Sequence, residues 1–199
     1  KVPCVIVTIS AENWSMEELS SVSIDDEKAG ETIVDYLIEH GHTKIAEIGA
    51  NLELSQTAIL RHNGYLNSFK KHGITPDERY YERARFSYDS AYRAMKKLLE
   101  KNIEITAVYA ISDVMAIGAI RAILDKGLRV PEDISITGFD GSTLAEYYNP
   151  KIVSIRQPHK DMAARSVELL FSMIDLHKGS CHEIIPFELT EGESVARID

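Results

Sequence analysis

Asp140 closes the run Ile134-Ser-Ile-Thr-Gly-Phe-Asp140-Gly141, in which Ile134, Ile136 and Phe139 are the apolar members. The pattern presents a carboxylate at the C-terminal end of a parallel strand, the edge at which α/β sheets bind ligands. There it can accept hydrogen bonds from two adjacent ligand hydroxyls, or cap a helix starting near Thr143, and the two roles are compatible. Arg61 lies near the start of a helical stretch, where the helix dipole mildly disfavours a cation. Its planar fork suits paired hydroxyls or a ligand carboxylate. Thr57, one turn earlier, either lines the same wall or caps the helix. Ser112 and Asp113 end one apolar run and open the next helix, so capping competes with ligand contact there too.

Those residues need a scaffold, and apolar strand-like runs alternate with amphipathic helical stretches almost throughout. Strands are predicted at 4–7, 22–24, 44–49, 83–86, 106–110, 134–139, 152–156 and 184–189. Helices are predicted at 27–40, 57–72, 89–100, 113–126, 143–148 and 160–177, with 11–21 irregular. Asp25 and Asp26 can cap the first helix, and Gly41, Gly73 and Gly127 stop the first, second and fourth. The alternation predicts an α/β fold, a parallel sheet with helices on both faces. It breaks at 22–24 and at Arg156-Gln157-Pro158, which suits crossings between two lobes.

The 199 residues carry 22 basic against 31 acidic side chains, a formal charge of −9, and no basic run beyond Lys70-Lys71 and Lys96-Lys97. Such a chain lacks the clustered cations that phosphate backbones require, so it is not expected to hold nucleic acid by itself. Its two cysteines, Cys4 and Cys181, sit in strand-like settings and read as buried or partly buried free thiols. None of the seven histidines pairs at metal spacing, so solvated or capping roles are expected, with no metal and no cofactor. No stretch has membrane-spanning length and no leader opens the chain, so no membrane partner and a cytoplasmic location are expected.

Several blocks together resemble the effector domain of lactose- and galactose-repressor-type transcription regulators. They are Val22-Ser-Ile-Asp-Asp-Glu-Lys-Ala-Gly30, Gly41-His-Thr-Lys-Ile-Ala46, Arg61-His-Asn-Gly-Tyr65, Asp113-Val-Met-Ala-Ile-Gly118, Gly127-Leu-Arg-Val-Pro-Glu-Asp133, and Tyr148-Asn-Pro150 through Gln157-Pro158. They occur in order across nearly the whole chain. The resemblance implies a type I periplasmic-binding-protein-like fold: two lobes, three crossings, and a small effector, a sugar or sugar phosphate, between them. It also implies a homodimer that grips operator DNA through a separate N-terminal headpiece. On that alignment Lys1 falls inside the family pattern, and the chain is mostly the second lobe. Residues 1–23 would be a remnant of the first lobe and a crossing, 24–155 and 182–199 the second lobe, and 156–181 the crossing and returning helix. By resemblance Ser112 and Asp113 face the cleft, Phe86 stacks on the effector's apolar face, and Tyr147 and Tyr148 approach the dimer partner. For Phe86, Tyr147 and Tyr148 core packing is the competing role. The chain departs from the family at Thr8, where an acidic residue is common, and at Gly192, where arginine is usual.

The resulting expectation is an effector-binding and dimerisation domain of a transcription regulator, with Asp140, Arg61, Asp113, Ser112, Phe86 and Thr57 as the binding set. A sugar-binding protein of a transport system is the alternative. An enzyme is not expected: residues 49–56 lack phosphate-loop spacing and no serine elbow appears.

Overall fold

The computed structural model describes residues 2–11, 19–175 and 179–198. Of the irregular stretch expected at 11–21, residues 12–18 lie outside the described residues and 19–21 instead open a strand, while the end of the last helix at His177 also lies outside them. The chain divides into two compact units, one of Lys1–Asp26 with Gln157–Phe187, the other of Glu27–Arg156 with Glu188–Asp199.

The first unit holds strands β1 (Cys4–Val7) and β2 (Leu19–Ser23), helix α6 (His159–Asp175) and strand β8 (His182–Ile184). Its sheet order is β1-β2-β8, parallel throughout, with Val22 opposite Val7 on one side and Glu183 on the other. Helix α6 covers β1 and β2, burying Met162, Leu169 and Met173, and Ser20 Oγ donates to Met173 Sδ at 3.2 Å.

The second unit holds α1 (Asp26–Glu39), β3 (Ile45–Gly49), α2 (Gln56–Lys71), β4 (Tyr81–Arg83), α3 (Tyr88–Glu100), β5 (Ala107–Ala110), α4 (Asp113–Asp125), β6 (Ser135–Asp140), α5 (Thr143–Tyr147), β7 (Val153–Arg156) and β9 (Glu188–Thr190). The sheet runs β4-β3-β5-β6-β7-β9, parallel except for the antiparallel β7–β9 pair. Every residue of β3 and β5 is buried, as strands covered on both faces must be, and this explains why, Glu47 apart, they lack the polar alternation of a half-exposed strand. Gly41, Gly73 and Gly127 take φ of +95°, +68° and +80°, the left-handed helix stops that the sequence predicts.

Helices α1 and α2 touch backbone to backbone. A Cβ on Gly64 would lie 2.3 Å from the Glu27 carbonyl oxygen, so only glycine permits the crossing that seats Arg61 against α1. Gly192 is similarly confined, with its Cβ position 2.6 Å from the Lys151 carbonyl oxygen, so the arginine usual in the family has no room here.

Three expectations require correction. The single last strand at 184–189 is two short strands in different units: β8 extends the β1-β2 sheet, whereas β9 pairs with β7. Residues 182–187 accordingly go with the first unit. The two cysteines are exposed rather than buried. The histidines are not all solvated: His42 is buried with Nε2 3.0 Å from the Ala196 carbonyl oxygen, and His62 pairs with buried Glu47.

Candidate functional site

Chain order turns the sheet edge into a crevice. From β3 the chain passes through α2 to β4 on one side, then through α3 to β5 on the other side of β3. The loops leaving the carboxyl ends of β3 and β5 thus diverge, which is the switch point where open α/β sheets take ligands. The loops there are 50–55, 84–87, 111–112 and 141–142.

Arg61 stands behind this edge from the second turn of α2. It is 3% exposed. Its Nη1 donates to the Ile111 carbonyl at 2.6 Å, and its guanidinium lies 3.5 Å from the centroid of the Phe139 ring. Asp140 Oδ1 is 3.6 Å from the same Nη1, with the Asp140 side chain 33% exposed. A cation buried this deeply needs paired acceptors and an aromatic face, and Arg61 has both. Asp140 also has φ of +114°, strained for any residue with a Cβ. The arrangement holds a part-exposed carboxylate at the rim, oriented by a fixed cation, and a carboxylate accepts hydrogen bonds from hydroxyl donors. It is suited to binding; nothing in it supplies a nucleophile with an adjacent base.

The remaining predicted residues separate in role. Ser142, not Asp140, caps α5, accepting from the Ala145 N–H at 3.3 Å. Ser55, not Thr57, caps α2, leaving Thr57 half-buried in its first turn. Ser112 is buried and caps α4 through the Met115 N–H at 3.3 Å. Asp113 is buried and committed internally. Its Oδ1 accepts from the Ser154 hydroxyl at 2.6 Å and its Oδ2 from the Ser142 N–H at 2.6 Å, tying β7 and the 141–142 loop to α4. Burial raises its pKa, against the opposing pull of those hydrogen bonds. Asp113 therefore shapes the edge and offers no free oxygen to a ligand.

Phe86 is 49% exposed, so it is not a core residue. It lines a cavity of about 410 Å3 with Asn51, Leu54, Ser55, Arg83 and Arg85, at the carboxyl ends of β3 and β4. Sequence reading missed Asn51, Arg83 and Arg85, because polar residues at strand ends and on loops carry no periodicity to mark them. Tyr147 is 82% exposed and Tyr148 half-buried, so neither packs as a core residue should.

Residues 34–195 match the family model described as a periplasmic binding protein-like domain. The chain belongs to that family. All eight predicted site and interface residues lie inside the matched stretch of the domain. Over its full 199 residues the domain is 39% identical to the HTH-type transcriptional regulator MalR of Clostridium butyricum, covering 59% of that protein. It is 34% identical over 179 residues to the HTH-type transcriptional repressor PurR of Vibrio atlanticus, covering 89% of this chain and 52% of the repressor. The chain thus spans little more than half the length of these relatives. Among solved structures, the transcriptional regulator CelR–cellobiose complex superposes with TM-score 0.87 at 28% identity, covering 96% of this chain and 65% of that one. A LacI family regulator from Enterococcus faecium with bound ribose superposes with TM-score 0.88 at 26% identity, covering 99% and 72%. These relatives are transcription regulators rather than enzymes, and they favour a regulator over a transport binding protein as the setting of this domain.

Proposed function

We propose that this chain is the effector-sensing and dimerisation part of a DNA-binding transcription regulator, and that its effector is a sugar or sugar phosphate. The single observation that carries the reading is the Arg61–Asp140 pair: a buried guanidinium holding a strained, part-exposed carboxylate at the sheet's switch point. Strain of this kind costs on the order of 1–3 kcal/mol and persists where surrounding structure enforces it for use. Cellobiose and ribose, bound by two of the structural relatives, are the first ligands to try. Binding would alter operator affinity elsewhere in the regulator only through differential affinity for two conformations. Operator DNA itself would be gripped by a headpiece outside this chain, in the cytoplasm, and no catalytic role is proposed.

Calorimetric titration with cellobiose, ribose and their phosphorylated forms tests the assignment. At least one should bind the wild-type chain, and Asp140→Asn should weaken that binding tenfold or more. Asp140→Asn suits the test because asparagine tolerates positive φ and keeps the side-chain shape. Arg61→Ala is less informative, since it also removes the Ile111 hydrogen bond and the Phe139 contact. No binding by the wild type, or equal affinity in Asp140→Asn, would overturn the proposal.

A further inference from the structure

The cavity beside β4 carries two cations that the rest of the unit does not use. Arg79, Arg121, Arg129 and Arg165 each lie within 2.9 Å of a carboxylate oxygen. Arg83 and Arg85 are exposed and have no carboxylate partner among the described residues, although the chain carries a net charge of −9. The acid just before them, Glu82, is taken by Lys97 and Lys101 at 3.8 and 2.9 Å. Glu53, the acid of the facing loop, is exposed and is not part of the cavity lining. Two guanidiniums left unneutralised on one concave surface of an acidic protein are an electrostatic site for an anion.

The rest of the lining agrees. Ser55 caps α2 through the Ala58 N–H at 3.2 Å, and the first turn of this 16-residue helix contains no acid. Its positive end therefore adds to the two arginines and is not offset by a carboxylate within that turn. Asn51 brings a side-chain amide, and Phe86 and Leu54 supply an apolar wall. The volume of about 410 Å3 is in the range of small-molecule sites, about 300–1,000 Å3. The lining thus offers cations to a dianion and apolar carbon to the face of a ring.

We infer that Arg83 and Arg85 form a phosphoryl-binding subsite, and that the effector carries a phosphate group seated there. The inference rests on the effector reading of the Arg61–Asp140 edge and deepens it. Planar guanidinium forks engage phosphate oxygens bidentately, and two of them satisfy the charge of a phosphate monoester. The same geometry accepts free phosphate, so the shared chemistry is the phosphoryl group.

Nuclear magnetic resonance of the 15N-labelled chain at constant ionic strength, titrated with inorganic phosphate, glucose 6-phosphate and glucose, decides the matter. Both phosphates should shift the amides of residues 51–57 and 83–86, and glucose at the same concentration should leave them in place. The double variant Arg83→Gln/Arg85→Gln should weaken phosphate binding at least tenfold, whereas Arg93→Gln, at an exposed arginine outside the cavity lining, should leave inorganic phosphate binding unchanged. Tighter binding of glucose 6-phosphate than of inorganic phosphate supports a sugar-borne group, and equal binding supports free phosphate at the same arginines. No phosphate-dependent shift at these residues, or shifts unaltered in the double variant, would overturn the subsite. Sugar binding that depends on Asp140 but not on the arginines removes this inference alone. Arginine-dependent phosphate binding with no Asp140-dependent sugar binding removes the effector reading alone.

Discussion

Asp113 and Asp140 are two aspartates near adjacent strand ends whose environments give them opposite uses. Both follow apolar strands and precede helices, so sequence alone assigns them the same pair of roles. What separates them is exposure. Asp113 has both oxygens bonded inside the fold, and Asp140 keeps a third of its side chain exposed beside a buried cation. Removing the Asp113 carboxylate would strand the Ser142 N–H and loosen Ser154, both within the fold. Asp113→Ala should therefore lower stability by about 2–4 kcal/mol, the scale of losing two hydrogen bonds to a buried charged group. Urea denaturation should show an earlier midpoint at an unchanged slope. A loss below about 0.5 kcal/mol, typical of a surface change, would mean that water reaches the site.

At the scale of elements, strand and helix positions were legible because burial imposes period 3.6 on helices and continuous apolarity on central strands. Partners across elements were not, because pairing is non-local. That is why β8 and β9 read as one strand, and why Glu47 and His62, 15 residues apart, showed no sign of contact. Glu47 lies fully buried in mid-strand β3, and His62 Nδ1 on α2 approaches its Oε2 at 2.6 Å, with the Tyr65 and Tyr81 rings packed around the imidazole. Burial raises the Glu47 pKa above 4.5, opposed by His62, and the Glu47 hydrogen bond raises that of His62 above 6.5, opposed by burial. Both folded pKa values exceed the unfolded ones, so each group's contribution is complete below its unfolded pKa and is lost as pH rises through its folded one. Stability should fall as pH rises from about 6.5, and His62→Gln should flatten that decline. Urea midpoints measured between pH 6 and 9 test this, and a slope identical in the two proteins would remove His62 as its source.

At the scale of the whole molecule, the sequence resemblance spoke clearly about family and poorly about surfaces, because exposure depends on packing that no short motif encodes. Tyr147 was weighed between core and interface, and its 82% exposure removes the core role. It has company in the second unit: Leu144 on α5, Leu124 on α4 and Tyr88 at the start of α3 are also large, apolar and exposed. Helix α5 packs on α4, and α4 approaches α3 so closely that a Cβ on Gly118 would lie 2.3 Å from the Tyr88 carbonyl oxygen. Exposed large apolar side chains on helices that pack against one another are candidates for the dimer surface proposed for this chain. A two-fold axis through such a patch would pair it with itself. The acidic charge opposes self-association at low salt, so an association that persists there must come from apolar burial and not from ion pairs. Sedimentation equilibrium of the 22.3 kDa chain should accordingly report about twice that mass, little changed by added salt. Tyr147→Asp, which places a carboxylate on the patch without touching the core, should return the monomer mass with an unaltered circular dichroism spectrum. A monomeric wild type at 100-fold dilution and at high concentration alike would refute the interface, as would a Tyr147→Asp variant that still dimerises.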